Sequence, residues 1–233
     1  KLVSKYAIGD VKRTYKLFKV LIKELTKMDK ENPVEGSHHT MRAAYERELK
    51  LMPVINKMER HGISIDLKKL EKDLPEWQKE QKRLDKWLIN RMGGQKKIDK
   101  FGTKGNPFNI ASGAQLANAL EAAGMISDWV ITKKGNRSTS KVNLEQCISD
   151  KKFLEVFQKR TVYDTYINTY AMKWLTESKD GRSYPRINQT RNAEGDKLAG
   201  TRTGRLSYSD SWHGVPNPER RPFSDLPIMR NYV

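Results

Sequence analysis

The chain has 233 residues, with 45 Lys and Arg against 28 Asp and Glu, a net charge of +17 at neutral pH, and only 36% hydrophobic residues. One cysteine, Cys147, excludes an intramolecular disulfide and suits a reducing compartment; no apolar run approaches the roughly 20 residues that cross a bilayer, and no secretory signal is visible. The length allows one large or two small domains with a thin core, and the charge excess implies a polyanionic partner, of which nucleic acid is the commonest.

Ile8, Val11, Tyr15, Phe18, Ile22 and Leu25 recur three and four apart and predict an amphipathic helix over residues 4–28 whose other face is lysine-rich. Tyr6 and Asp10 fall one turn apart on it. Pro33 and Gly36 mark a linker over 31–37, with Ser37 as N-cap of a second helix, 38–60, that carries Met41, Tyr45, Leu49, Met52 and Ile55 on one face. Pro53 inside it predicts a kink or break. Gly62 stops the helix, and Ile63 and Ile65 alternate as a short strand. Leu70, Leu74, Trp77, Leu84 and Leu88 continue the helical rhythm through a charged helix over 67–92, with Pro75 as a kink.

Gly93-Gly94 ends that pattern, and residues 96–106 form a polar loop. Ser112 is placed to cap a helix that runs through Leu116, Leu120 and Met125. Residues 129–132 form a short strand, and Lys133-Lys134-Gly135-Asn136-Arg137-Ser138-Thr139-Ser140 an exposed basic turn. In it Gly135 permits close backbone approach, while Ser138 or Thr139 can cap the next helix or bond a phosphate. The cleanest period, Phe153, Val156, Arg160, Tyr163, Ile167, Tyr170 and Trp174, predicts a helix over 151–176 packed on the long helix before it. A weak strand follows around Tyr184 and Ile187, then a polar loop over 191–200. Beyond it Thr201-Arg202-Thr203-Gly204-Arg205-Leu206-Ser207 mixes turn formers, hydroxyls and two arginines with little apolar cover, which suits contact with phosphate.

Thr203-Gly204-Arg205-Leu206-Ser207, followed by Ser209-Asp210 and Pro216-Asn217, resembles the Thr-Gly-Arg-Leu-Ser-Ser…Pro-Asn-Leu-Gln-Asn motif of family A DNA polymerases, the bacterial polymerase I and phage replicase group. Tyr208 departs from that motif, residues 211–215 are inserted into it, and Pro218 and Glu219 replace Leu and Gln. Asn188-Gln189-Thr190 resembles the Asn-Gln-Thr that precedes it. Met58-Glu59-Arg60-His61-Gly62-Ile63-Ser64-Ile65-Asp66 is similar to the family's Met-Glu-Arg-Asn-Gly-Val-x-Ile-Asp, which leads into the thumb. Phe108-Asn109 with Ser112, Gln115 and Leu116 matches its Phe-Asn-x-x-Ser-x-x-Gln-Leu. The turn at Gly135 looks like its thumb-tip Thr-x-x-Gly-x-x-Ser-Thr. Tyr6 and Asp10 resemble the Tyr-x-x-x-Asp that closes the 3′–5′ exonuclease, and the stretch 221–232 resembles phage members of the family.

The resemblance implies a mainly α fold with small β elements: the last exonuclease helix (1–30), a linker helix and strand (31–66), the thumb with its long helices (67–178) and the first strands of a palm (179–233). It implies a fragment or split subunit of a phage-type DNA-directed DNA polymerase, a nucleotidyltransferase of DNA replication, acting in the cytoplasm, the host's if phage-encoded. Its partners would be primer–template DNA and the polypeptide holding the rest of the palm and the fingers, with no membrane. Lys133, Lys134, Arg137, Ser138 and Thr139 would lie on the duplex; Gln189, Thr203, Arg205, Ser207 and Asn217 would grip the primer end, Arg205 in the minor groove, while Arg202, which the family motif does not require, would be an ordinary phosphate contact. In a complete exonuclease domain Asp10 would hold a metal and Tyr6 orient the attacking water. The two palm carboxylate motifs that hold Mg2+ in the family are missing, so this stretch is expected neither to bind Mg2+ for synthesis nor to extend a primer by itself. The other readings of the residues are a stand-alone basic DNA-binding protein with thumb ancestry and an RNA-binding helical adaptor.

Overall fold

The computed structural model describes residues 2–31, 33, 40–102, 107–189, 205–209, 212 and 214–233. Among them the chain is mainly helical with two small two-stranded sheets. Its contacts divide it into two units, residues 1–62 with 186–207, and residues 63–185 with 208–233.

In the first unit α1 (Leu2–Glu31) lies against α2 (Met41–His61). The join is polar: the Asp29 carboxylate at the end of α1 accepts the backbone N–H groups of Met41 (2.6 Å) and Arg42 (3.0 Å), which α2 cannot satisfy internally. The α2 cap is Thr40, whose hydroxyl accepts from Ala43 N at 3.0 Å, rather than Ser37, which lies outside the described residues. The helix runs through Pro53 without a break. Gly62 ends it at φ +66°, and its N–H returns to the Met58 carbonyl. Glu59 accepts the N–H of Ile187, which opens β3 (Ile187–Asn188), paired with the strand that begins at Ser207. Among the unit's described residues only Ile55, Ile187 and Ser207 are buried.

The second unit holds a continuous core. Its axis is α3 (Leu67–Arg91), capped by Asp66 and uninterrupted at Pro75. It buries Leu70, Leu74, Trp77, Leu84 and Leu88 against α7 (Lys151–Asp164), a π-helical segment (Thr165–Ala171) and α8 (Met172–Glu177), from which Phe153, Tyr163, Ile167, Tyr170 and Trp174 come. Each fully buried side chain of this size contributes about 1.5–3 kcal/mol by leaving water. The π turn is absent from the predicted single helix; its wider turn lets Tyr166, Ile167, Tyr170 and Ala171 all face inward. Arg160, the polar exception in the stripe, is buried and donates to Asp85 of α3 at 2.8 Å, with Asp164 at 3.3 Å. Asp150 caps α7 through Phe153 N (3.0 Å) and accepts from Arg91 Nε (2.6 Å), tying the end of α3 to the start of α7.

Shorter elements close this unit. β1 (Ile63–Ser64) pairs antiparallel with β2 (Arg182–Ser183), Ile63 opposite Ser183. A last 3-10 turn (Met229–Tyr232) docks on α3: the Tyr232 hydroxyl donates to Asp73 at 2.7 Å, its ring meets Trp77 edge-on, and its carbonyl accepts from Asp66 N. Where the sequence suggested a loop from residue 96, α4 (Gln95–Ile98) and a 3-10 turn (Asp99–Phe101) form and bury Ile98, and the helix predicted after Ser112 is α5 (Gly113–Ala122). Ser112 makes no side-chain cap bond; instead Gln115 accepts from Asn109 N (2.7 Å), and Asn109 from Ala111 N (2.9 Å).

Candidate nucleic-acid interface

The basic turn between α5 and α6 (Lys141–Cys147) is held by its own backbone. Only Ile131 of the predicted strand 129–132 pairs, with Arg137. Around that bridge Ser138 N bonds Val130 O at 2.8 Å, Thr132 N bonds Asn136 O at 2.8 Å, and Gly135 N bonds Thr132 O at 2.9 Å. Gly135 has φ +79°, a region that a side chain strains, and nothing lies within 4 Å of where its Cβ would be. Lys133 and Lys134 are therefore presented, exposed, at the tip of a fixed and open hairpin.

The other polar residues of the turn build it. Arg137 bonds Glu121 at 2.5 Å and Asn118, both on α5, and stands 5.5 Å from the Trp129 ring centroid. Ser138 is buried and accepts from Asn143 Nδ2 at 2.7 Å, which fastens the turn to α6. A Cβ on Gly113 would stand 2.8 Å from Thr139 Oγ1, so only glycine lets the start of α5 approach this strand without a shift. Behind the turn lies a cavity of 410 Å³ with Leu116 and Phe157 in its wall and Thr139, Ser140 and Lys141 also lining it. The partners Asn118, Glu121, Trp129 and Asn143 carried no motif signal; the long polar side chains on α5, at i and i+3, were the only hint.

The arginine motif is described in part. Arg202 and Thr203 lie outside the described residues. Arg205 is exposed, Ser207 is buried, and Gln189 donates to the Glu48 carbonyl at 2.7 Å, within the first unit. In the second unit Asn217 accepts from Glu219 N at 3.1 Å and so caps the turn Pro218–Arg220. The inserted stretch is anchored: Trp212 stacks on Trp174 with ring centroids 5.0 Å apart and donates to Ser183 Oγ at 2.8 Å, and the Tyr170 hydroxyl donates to Gly214 O at 2.5 Å. Burial raises the Tyr170 pKa above the ordinary tyrosine range.

No protein-family model matches the chain, and no curated protein matches it in sequence. Among solved structures it is similar to the POL domain of Pol1 from M. smegmatis in complex with DNA primer-template and dNTP, with a TM-score of 0.51 and 21% identity. The fold is polymerase-like. The match covers 79% of this chain and 28% of that one, so the chain spans less than a third of the structure it resembles.

On α1, Tyr6 is exposed and Asp10 is bound by Arg13 at 2.6 Å. Among the described residues no three His, Cys, Asp or Glu side chains come together where they could hold a metal ion. A single carboxylate already paired with a guanidinium does not by itself make a two-metal exonuclease centre. No helix among the described residues is long and apolar enough to cross a membrane.

Proposed function

We propose that the chain is the part of a phage-type family A DNA polymerase that runs from the last exonuclease helix through the thumb to the palm entry, and that it holds primer–template duplex during replication. The carrying observation is the turn at Gly135: two exposed lysines on a backbone-locked hairpin, in a fold like that of a domain solved with DNA primer-template. Lysines placed this way neutralise phosphates without reading sequence, and because the turn is already fixed its backbone need not be ordered on binding. Arg137, with its protein partners, holds the turn in place for them.

Arg205 is the residue for the primer end. Purine N3 and pyrimidine O2 recur at one place in the minor groove of every pair, and a planar guanidinium there checks pair geometry without sequence preference. Mg2+ and the transfer step belong, in this reading, to carboxylates that the chain does not carry, supplied by the rest of the palm; Tyr6 and Asp10 act only within a complete exonuclease domain.

The test is amide hydrogen exchange on the purified chain with and without primer–template duplex. Slowed exchange at Thr132, Asn136 and Ser138 and over residues 205–208 supports the assignment, and no protection at either place overturns it. Primer extension by the same chain with Mg2+ and nucleotides should be absent, and metal-dependent extension would show that catalytic groups have been missed.

A further inference from the structure

The proposed interface leaves the lysine-rich face of α1 unused. Lys12, Lys16, Lys19, Lys23, Lys27 and Lys30 follow one another at spacings of four, three, four, four and three, with Lys5 two turns earlier. Such spacings keep them on one side of an α-helix, in a row about 27 Å long at ~1.5 Å per residue. All are exposed, and among the described residues only Lys27 has a carboxylate partner, Glu31 at 3.7 Å. Like charges three and four apart destabilise a helix, so the row is held at a cost that an anionic partner would relieve. Beside it Tyr15 is 57% exposed, with Lys19 Nζ 4.5 Å from its ring centroid.

We propose that this face of α1 is a track for single-stranded nucleic acid, separate from the duplex-binding turn. The row is straight, while each backbone of a duplex winds away from a straight rod within part of a turn; a flexible single strand can follow all six lysines. The exposed ring at the edge of the row offers a face on which a base can stack, the combination by which sequence-tolerant single-strand binders work. A membrane fits less well. Ile8, Val11 and Phe18 beside the row are exposed, but Asp10 and Glu24 interrupt the helix surface beyond them, and Ile22 and Leu25 at the end of the apolar stripe are already partly covered within the first unit. The inference does not depend on the polymerase reading, because α1 and the turn are different surfaces.

The experiment is fluorescence anisotropy with an oligothymidylate of about 20 nucleotides between about 50 and 200 mM salt. The variant K12Q/K16Q/K19Q/K23Q, which replaces Lys by an equally good helix former, should flatten the slope of log affinity against log salt by about 2.8. The matching Lys→Arg variant should keep the parent slope. Tyr15→Ala should weaken binding about tenfold with the slope unchanged. An unchanged slope in the four-Gln variant overturns the proposal, as does a loss that follows Lys133 and Lys134 instead. Parent chain that binds phosphatidylserine vesicles through this row and ignores the oligonucleotide would overturn it in favour of a membrane surface.

Discussion

Two long amphipathic helices with nearly the same apolar rhythm meet different fates in this molecule. On α3 the stripe Leu70, Leu74, Trp77, Leu84 and Leu88 is buried against α7 and its continuation. On α1 the stripe Ile8, Val11, Tyr15 and Phe18 stays between 46% and 70% exposed, and its unit buries little else. Period three-and-four specifies a helix and the face that would enter a core; whether a core is there depends on what packs against that face. The second unit therefore carries its own stability, while the first unit draws little from burial within itself.

The sharpest way to break that comparison is to cut the same volume from the core that covers α3 and from the exposed stripe of α1. Phe153→Ala opens a hole at a fully buried position and should cost about 3–5 kcal/mol in urea unfolding. A loss under about 1 kcal/mol would mean that the core of the second unit is not the stabilising centre.

A smaller effect sharpens the account of how α3 and α7 are joined. The N–H of Phe153, and next the Arg91 side chain, hold the Asp150 carboxyl below the usual carboxylate range. With a depressed folded-state pKa, the stabilisation is complete above the ordinary value and is lost as pH falls through the folded value. Asp150→Ala should cost about 1 kcal/mol at neutral pH. The gap between parent and variant should close as the solution is taken below the ordinary carboxylate range. A gap that does not change with pH would remove the carboxylate from the joint.

The smallest effect is the counterpart on α1. Phe18→Ala, at 46% exposure, should change stability by less than about 0.5 kcal/mol in the same assay. A cost near that of Phe153→Ala would show that α1 is packed in solution and would dissolve the contrast.

The legible parts of the fold were those written in neighbouring residues. Gly62 as helix stop, the long helix after Asp66 and the exposed lysines around Gly135 each rest on a few adjacent positions, and each is found in the structure. The cap of α2 was misplaced because Ser37 and Thr40 are both good capping residues, and the choice is made by Asp29 from another helix. The π segment was invisible because its aromatic residues satisfy an α period as well. At the site, Arg137 has the same local signature as Lys133 and Lys134, but Asn118 and Glu121 engage it from outside the motif. Gln189 on Glu48 and Trp212 on Trp174 are likewise products of chain folding between distant positions, for which a single sequence carries no pattern.

The central claim is that Lys133 and Lys134 hold duplex phosphates, and the salt dependence of primer–template binding tests it most directly. For the parent chain and the variant K133A/K134A, log affinity is measured against log salt on one duplex and then on a second of unrelated sequence. Two lost phosphate contacts should flatten the slope by about 1.8 on both duplexes alike. A slope that stays the same on both would contradict the account and return the two lysines to an ordinary solvated surface.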